Sequence, residues 1–493
     1  MNELDLLLQA FAAHMSITGL AYSAVGVALG LIFGAIPGLN QGVLMALTLP
    51  LTVTMDNILA QYLLIGMYVG GVSGGLTSGI LLGIPGTPAS VMTTFDGYAM
   101  AKRGQAARAL ALGVTASLLG GLISWIVLAS VSVPIARIAV RFSQYEMAAM
   151  IAGGLLLIAA AGQGDTLKGL LSGALGILVA LVGLDPVTSD ARFTFGIDAL
   201  DKGLDLFPVL MGVFAIGGLL AETVPDKPQT VQITTRISDV LRAVGSIFQH
   251  KWNVLRSGLI GTWIGILPGV GASISAIVAY TTAKNLSKTP EEFGKGSEEA
   301  IIATESANNA TSGGTLIPLL TLGIPGGLAD SILLGALVLH NLQPGPLLYV
   351  NNPEIVNSIM ATHLFAHIVM FALMTGGILF FARLMLLPIA YIFPTVLVFC
   401  VIGAYSLSNN MFDVGVMLVF GVIGIGLEIA RVPLAPLVVG YVLAPLGEGR
   451  LRSGLMAADG DFSAILDRPI TLTILALAAI ILILPFMRNR KLP

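Results

Sequence analysis

The chain has 493 residues, of which 56% are hydrophobic and only 10% charged, with a mean hydropathy of +0.91. Soluble domains carry about 25% charged residues, so this composition excludes a soluble globular protein and specifies a polytopic membrane protein. The net charge of −3 offers no nucleic-acid surface, and a single cysteine, Cys400, excludes an intramolecular disulfide and a thiolate metal cluster.

Apolar runs able to cross about 30 Å of hydrocarbon lie near 17–36, 59–83, 108–133, 147–161, 168–184, 205–221, 257–283, 313–341, 357–380, 383–404, 411–428, 432–447 and 470–487. Several contain Gly and Pro, and about 10 to 13 spanning or re-entrant segments are expected, all helical. No Lys or Arg precedes Lys102, so the N-terminus lacks the basic region of a cleaved secretory signal and is expected to stay as an apolar or interfacial start.

The first interruption is Gly30-x3-Gly34-Ala-Ile-Pro37-Gly38, followed by Asn40 and Gln41. A second follows at Ser73-Gly-Gly75, running into Gly83-Ile-Pro85-Gly86-Thr87-Pro88-Ala-Ser90. Proline lacks an amide hydrogen and glycine admits conformations closed to other residues, so these breaks end one helix and begin another. The new helix start exposes N–H groups and a positive dipole end, which favour an anion. Thr87 suits an N-cap, Pro88 a first helical turn, and Ser90 adds a hydroxyl. Asp96 stands close to Lys102 and Arg103 and reads as a cap, salt-bridge or gating residue, not a substrate contact.

The polar stretch from about Glu222 to Arg256 divides the chain into a membrane half at 1–221, a connecting segment at 222–256 and a membrane half at 257–493. Within the connector, Arg236 to Arg242 reads as an amphipathic surface helix. Basic clusters at Lys102–Arg108, Arg236–Arg256 and Arg488–Lys491 are cytoplasmic candidates; Arg450, Arg452 and Arg468 conflict with the last of them.

Beyond the connector the pattern recurs. Gly261-x3-Gly265-Ile-Leu-Pro268-Gly269 precedes Ser273 and Ser275, and Ser312-Gly-Gly314 runs into Gly323-Ile-Pro325-Gly326. Duplicated, interrupted hydrophobic segments point to a transporter's binding site, and by analogy to inverted repeats. Small-xxx-small spacing also serves close helix packing; the glycines are compatible with both uses. Between the breaks, Glu305-Ser-Ala-Asn308-Asn309-Ala-Thr311-Ser312 groups a carboxylate, two amides and several hydroxyls. Inside a membrane such a cluster implies a cavity or a partner; a helix cap at the membrane edge is the alternative. Asp330 follows the last break as a cation or proton site or as an N-cap.

Gly265–Ala272 lacks the Gly-Lys-Ser/Thr of a nucleotide loop, and His363 and His367 lack the Glu of a zinc-protease motif. No enzyme chemistry is expected, and the His pair reads as packing or an interfacial contact. A membrane-embedded sensor or scaffold without translocation is the competing class.

With Gly34–Leu39, Gly83–Tyr98, Met100–Arg108, Leu267–Ala272, Ser287–Gly296, Glu305–Ala310, Leu322–Gly326, Tyr405–Asp413, Phe420–Gly424 and Pro433–Pro436 in place, nearly the whole chain resembles the large membrane subunit of the tripartite tricarboxylate transporter family. The resemblance implies a bacterial inner-membrane permease working with a periplasmic solute-binding protein and a small membrane subunit. It implies uptake of carboxylates by sodium or proton symport, with no cofactor beyond a sodium ion. The chain departs from the family pattern at Ala303–Ala307 and at Asp330, which leaves the acid open. The expected site has the breaks meeting near the bilayer midplane. The amides of Gly86 and Thr87, with Asn308 and Asn309, would hold substrate carboxylates beside Gly38, Asn40, Pro85, Ser90, Gly269, Ser273, Pro325 and Gly326. Asn40, Glu305, Asn309 or Asp330 would hold the coupling ion.

Overall fold

A computed structural model describes residues 3–36, 39–161, 166–185, 188–217, 244–384, 394, 397–398, 400–405 and 409–488. The protein is helical: α1 (Glu3–His14), α2 (Ile17–Ala35), α3 (Gln41–Thr52), α4 (Asn57–Leu82), α5 (Val91–Lys102), α6 (Ala106–Ala139), α7 (Gln144–Ala161), α8 (Thr166–Ala180) and α9 (Leu206–Leu210) precede the connector. After it come α10 (Lys251–Ile266), α11 (Gly271–Leu286), α12 (Glu298–Leu322), α13 (Leu328–Leu339), α14 (Pro346–Asn351), α15 (Pro353–Leu384), α16 (Met411–Ile429), α17 (Leu434–Ala457) and α18 (Pro469–Arg488). One two-stranded antiparallel ribbon, Gly183–Leu184 with Ala191–Arg192, projects between α8 and α9. Its Asp185 and Arg192 join Glu448 and Arg452 of α17 in an ion-pair network, which gives the basic residues near 450 local partners.

Among the described residues five helices are long and apolar enough to cross a membrane: α2, α4, α6, residues Pro353–Gly377 of α15, and α16. The apolar runs at 257–283 and 313–341 are each two pieces, as their Pro-Gly interruptions imply, because backbone turns at 267–270 and 323–327 separate α10 from α11 and α12 from α13. With twelve residues each, α3 and α13 reach only about 18 Å, short of a bilayer core of about 30 Å. Pro37, Gly38 and the stretch around Arg236–Arg242 lie outside the described residues.

The breaks follow from their residues. Helix α2 ends where Ile36 turns extended (φ −86°, ψ 118°), and α10 ends where Leu267 does the same (φ −83°, ψ 114°). Helices α4 and α12 both stop on a left-handed glycine, Gly83 and Gly323, each at φ 71°, a conformation that costs glycine little. The two stopped helices are the core. Every residue from Ala60 to Leu82 in α4 and from Ala300 to Thr321 in α12 is buried, although α12 carries Glu305, two Asn and several hydroxyls. A cap at the membrane edge is thereby replaced by a polar helix through the middle of the protein.

The Gly-x3-Gly pairs seat their helices on these two. A Cβ on Gly34 would stand 2.3 Å from the Gly71 carbonyl oxygen of α4, and one on Gly261 would stand 2.2 Å from that of Ala307 in α12. Their packing role is therefore direct. Gly34→Val is expected to push α2 off α4 and to cost about 3 kcal/mol or more, read as a lowered thermal midpoint in detergent. Gly426→Ala, where nothing lies within 4 Å, is expected to leave the midpoint unchanged or slightly raised.

Candidate functional site

The interrupted segments meet around a cavity of about 190 Å³, somewhat more than the roughly 150 Å³ that admits benzene in a packed core. Asn40, Gln41 and Gly42 enter it from the start of α3, and Thr87, Pro88 and Ala89 from the short 3-10 turn before α5. Gly271, Ala272 and Ser273 open α11 onto it, and Gly326 to Asp330 open α13. Tyr68 and Val72 of α4, with Asn308, Thr311, Ser312 and Thr315 of α12, make the remaining wall. The site thus draws on segments from both sides of the connector.

Of the expected residues, Asn40, Thr87, Ser273, Asn308, Gly326 and Asp330 line the cavity; Pro85, Gly86, Ser90, Gly269, Glu305, Asn309 and Pro325 do not, and Gly38 lies outside the described residues. The physical reasons differ. Gly86 is a packing residue, since a Cβ there would sit 2.3 Å from the Gly34 carbonyl oxygen. Gly269 closes the second pair of breaks, its amide donating to the Gly326 carbonyl at 2.9 Å. Ser90 turns its hydroxyl back on Thr87, accepting from the Thr87 amide at 3.2 Å and donating to the Thr87 carbonyl at 2.8 Å. The Thr87 amide is therefore not free to grip a carboxylate, whereas its buried hydroxyl has no partner.

Asn40 caps α3, its side-chain oxygen accepting from the amides of Gly42 at 2.9 Å and Val43 at 3.1 Å. That oxygen is engaged and is not a free ion ligand. Asn308 and Asn309 diverge because successive helical residues are rotated by about 100°. Asn308 donates to the Val72 carbonyl at 3.2 Å and keeps an unpartnered side-chain oxygen. Asn309 accepts from Ser73 at 2.6 Å and donates to the Glu305 carbonyl at 3.3 Å, tying α4 to α12. Glu305 is fully buried behind the cavity, accepting from Thr93 of α5 and Ser117 of α6.

Residues that the sequence left unmarked complete the wall. Tyr68 sits inside an apolar run with no periodic signal, and its hydroxyl meets Thr315 at 2.8 Å. Thr315 donates to Asp330 at 2.9 Å. Gln41, which the sequence did mark after the first break, presents a buried, unpartnered side-chain oxygen. Among the described residues the lining contains one carboxylate, Asp330, and no Lys, Arg or His. Helix α11 has no side-chain cap, so its first amides face the cavity without a competing local acceptor, whereas at the start of α13 the Asp330 carboxylate takes the backbone amides of Gly327 and Asp330.

Asp96 has a different task. It is fully buried, and its carboxylate accepts from the amides of Gly294 at 2.9 Å, Gly296 at 2.9 Å and Ser297 at 2.7 Å, and from the Tyr280 hydroxyl at 3.1 Å. It is neither solvated nor paired with Lys102 or Arg103; it fastens the loop before α12 to α5. His363 and His367 are likewise fully buried and not interfacial. Asp96→Asn puts an NH2 among N–H donors where each charge-assisted bond was worth about 1.5–3 kcal/mol. Limited trypsinolysis after the exposed Lys288 and Lys295 is expected to accelerate at least about tenfold in this variant, while Tyr280→Phe has a smaller effect.

The tripartite tricarboxylate transporter TctA family model matches residues 20–439 of the chain. A relative from Agrobacterium vitis, described as an uncharacterized 52.8 kDa protein in the TAR-I ttuC' 3'region, is 33% identical over 414 residues, 83% of this chain and 82% of the relative. A second from the same organism, described as an uncharacterized protein in the TAR-II ttuC' 3'region, is 35% identical over 234 residues, 47% of this chain and 97% of the relative. With the family match covering most of its length, this multi-pass membrane protein belongs to the TctA family, the large membrane subunits of tripartite tricarboxylate transporters.

Proposed function

We propose that the cavity is the translocation site of a small organic anion, and that the protein imports it by cation symport. The observation that carries this reading is the wall itself. The uncapped start of α11, and the Leu328 and Ala329 amides of α13, stand at a cavity whose described lining holds no Lys or Arg, an arrangement that favours an anion without a fixed counter-charge. The carboxylate groups of the substrate take the amides near Ala272, Ser273, Leu328 and Ala329, and the Asn308 side chain bounds them from α12.

Asp330 shares that cavity. An organic anion beside a carboxylate is repelled unless a cation enters too, which makes co-transport a requirement of the electrostatics. The unpartnered oxygens of Gln41, Thr87 and Asn308, with Asp330, suit a hard cation such as sodium or the hydroxyl groups of a hydroxy acid. The matched backbone angles at Ile36 and Leu267, and at Gly83 and Gly323, support two related halves moving about this site; their relative orientation as inverted repeats is part of the proposal. Delivery by a periplasmic solute-binding protein, assembly with a small membrane subunit, and residence in a bacterial inner membrane complete it.

The test is uptake of labelled citrate and succinate into proteoliposomes containing the partner proteins, under imposed sodium or proton gradients. Gradient-dependent accumulation is expected; none with either acid would favour the sensor reading. Asn308→Ala and Asp330→Asn are each expected to reduce uptake by more than about tenfold at normal expression, the cost of one charge-assisted contact in a dry site. Unchanged rates in both variants would remove the cavity from the transport path.

A further inference from the structure

A pair of imidazoles stands directly behind the cavity wall. His363 and His367 of α15 lie one helical turn apart, fully buried, with ring centroids 4.6 Å apart. Their hydrogen bonds determine which nitrogen carries the proton. The hydroxyl of Ser312, a cavity residue, donates to the Asn309 carbonyl at 2.7 Å. Its one proton is thus committed, and the 3.0 Å contact with His363 Nε2 requires that nitrogen to be the donor. His367 Nδ1 lies 2.8 Å from the His363 carbonyl oxygen; a carbonyl only accepts, so this nitrogen carries its ring's hydrogen. Each ring therefore turns a bare lone pair, His363 Nδ1 and His367 Nε2, into surroundings that give it no hydrogen-bond partner.

We propose that His363 is a proton-binding site coupled to carboxylate binding, with Ser312 as the link between its ring and the cavity. The inference rests on the cavity being the carboxylate site. An arriving anion meets Asp330 and no basic side chain in the wall, and the group that can become positive while already bonded to that wall is His363. Protonation forms an N–H bond at Nδ1 with a proton from the aqueous side the cavity then faces. Nε2–H remains on Ser312, and the proton departs with the carboxylate on the other side. Anion and proton then favour each other's binding by linkage.

The elements packed against α15 leave this role uncontested. Helix α1 brings Glu3, Asp5 and His14, α2 brings Tyr22, α4 brings Tyr62 and Tyr68, and α14 brings Tyr349. Helix α6 carries only Arg108 and Arg137, already paired with Glu298 and Glu3. On α12 Glu305 is held by Thr93 and Ser117, and Asp330 is reached through Thr315. Among the described residues the ring pair of His363 is with His367 and its side-chain hydrogen bond is with Ser312.

The chain has five histidines, few enough for nitrogen-15 NMR of the full-length protein labelled at histidine, with His363 assigned from the His363→Gln spectrum. Adding citrate or succinate is expected to convert His363 from the Nε2–H form to imidazolium. In proteoliposomes with the partner proteins, His363→Gln keeps a donor toward Ser312 but cannot titrate. It is expected to lose at least about tenfold of the uptake stimulated on going from about pH 8 to pH 6. A neutral His363 with ligand bound, or acid stimulation intact in the variant, would overturn the proposal while leaving the cavity reading in place. Failure of both acids to bind the wild-type protein would overturn the two together. Should that variant not fold, Ser312→Ala, which removes the contact at His363 Nε2, assigns the His363 signal and the wild-type spectra decide.

Discussion

Hydrocarbon offers no hydrogen bonds, so a helix broken inside a membrane is tolerable only where protein surrounds the loose ends. The fold meets that demand by placing the two stopped helices, α4 and α12, at the centre and closing other helices around them at glycine contacts. The Gly269 amide bonded to the Gly326 carbonyl shows the economy of the arrangement. One break satisfies another.

The polar interior of α12 divides along the same logic. Residues that are fully engaged hold the architecture: Asn309 against Ser73, Glu305 against Thr93 and Ser117, and Asp96 beneath the loop that opens α12. Residues with an atom unspent, Asn308, Gln41 and Thr87, stand around the cavity. A buried polar atom without a partner is unfavourable, and a solute or ion that supplies one converts that penalty into affinity.

The breaks were legible because their chemistry is local. Proline removes a donor and glycine takes φ 71° at Gly83 and Gly323 wherever they occur, and duplication made the signal specific. The membrane class followed from composition alone. Tyr68 was not legible, because one hydroxyl among apolar neighbours has no periodicity to announce it. Nor could spacing separate Asn308 from Asn309, or assign the Ser90 hydroxyl to its own turn in place of a ligand, since each outcome depends on what lies across the gap.

The linear chain by itself therefore determined that this is an interrupted-helix membrane protein, since hydropathy and backbone conformational limits act residue by residue, and its motifs carried the resemblance to the tripartite tricarboxylate transporter family. Only the tertiary structure decided which polar groups are consumed and which remain available. A hydrogen bond needs its partner within about 3 Å, and the partners here lie far along the chain: Ser73 with Asn309, Tyr68 with Thr315, His363 with Ser312.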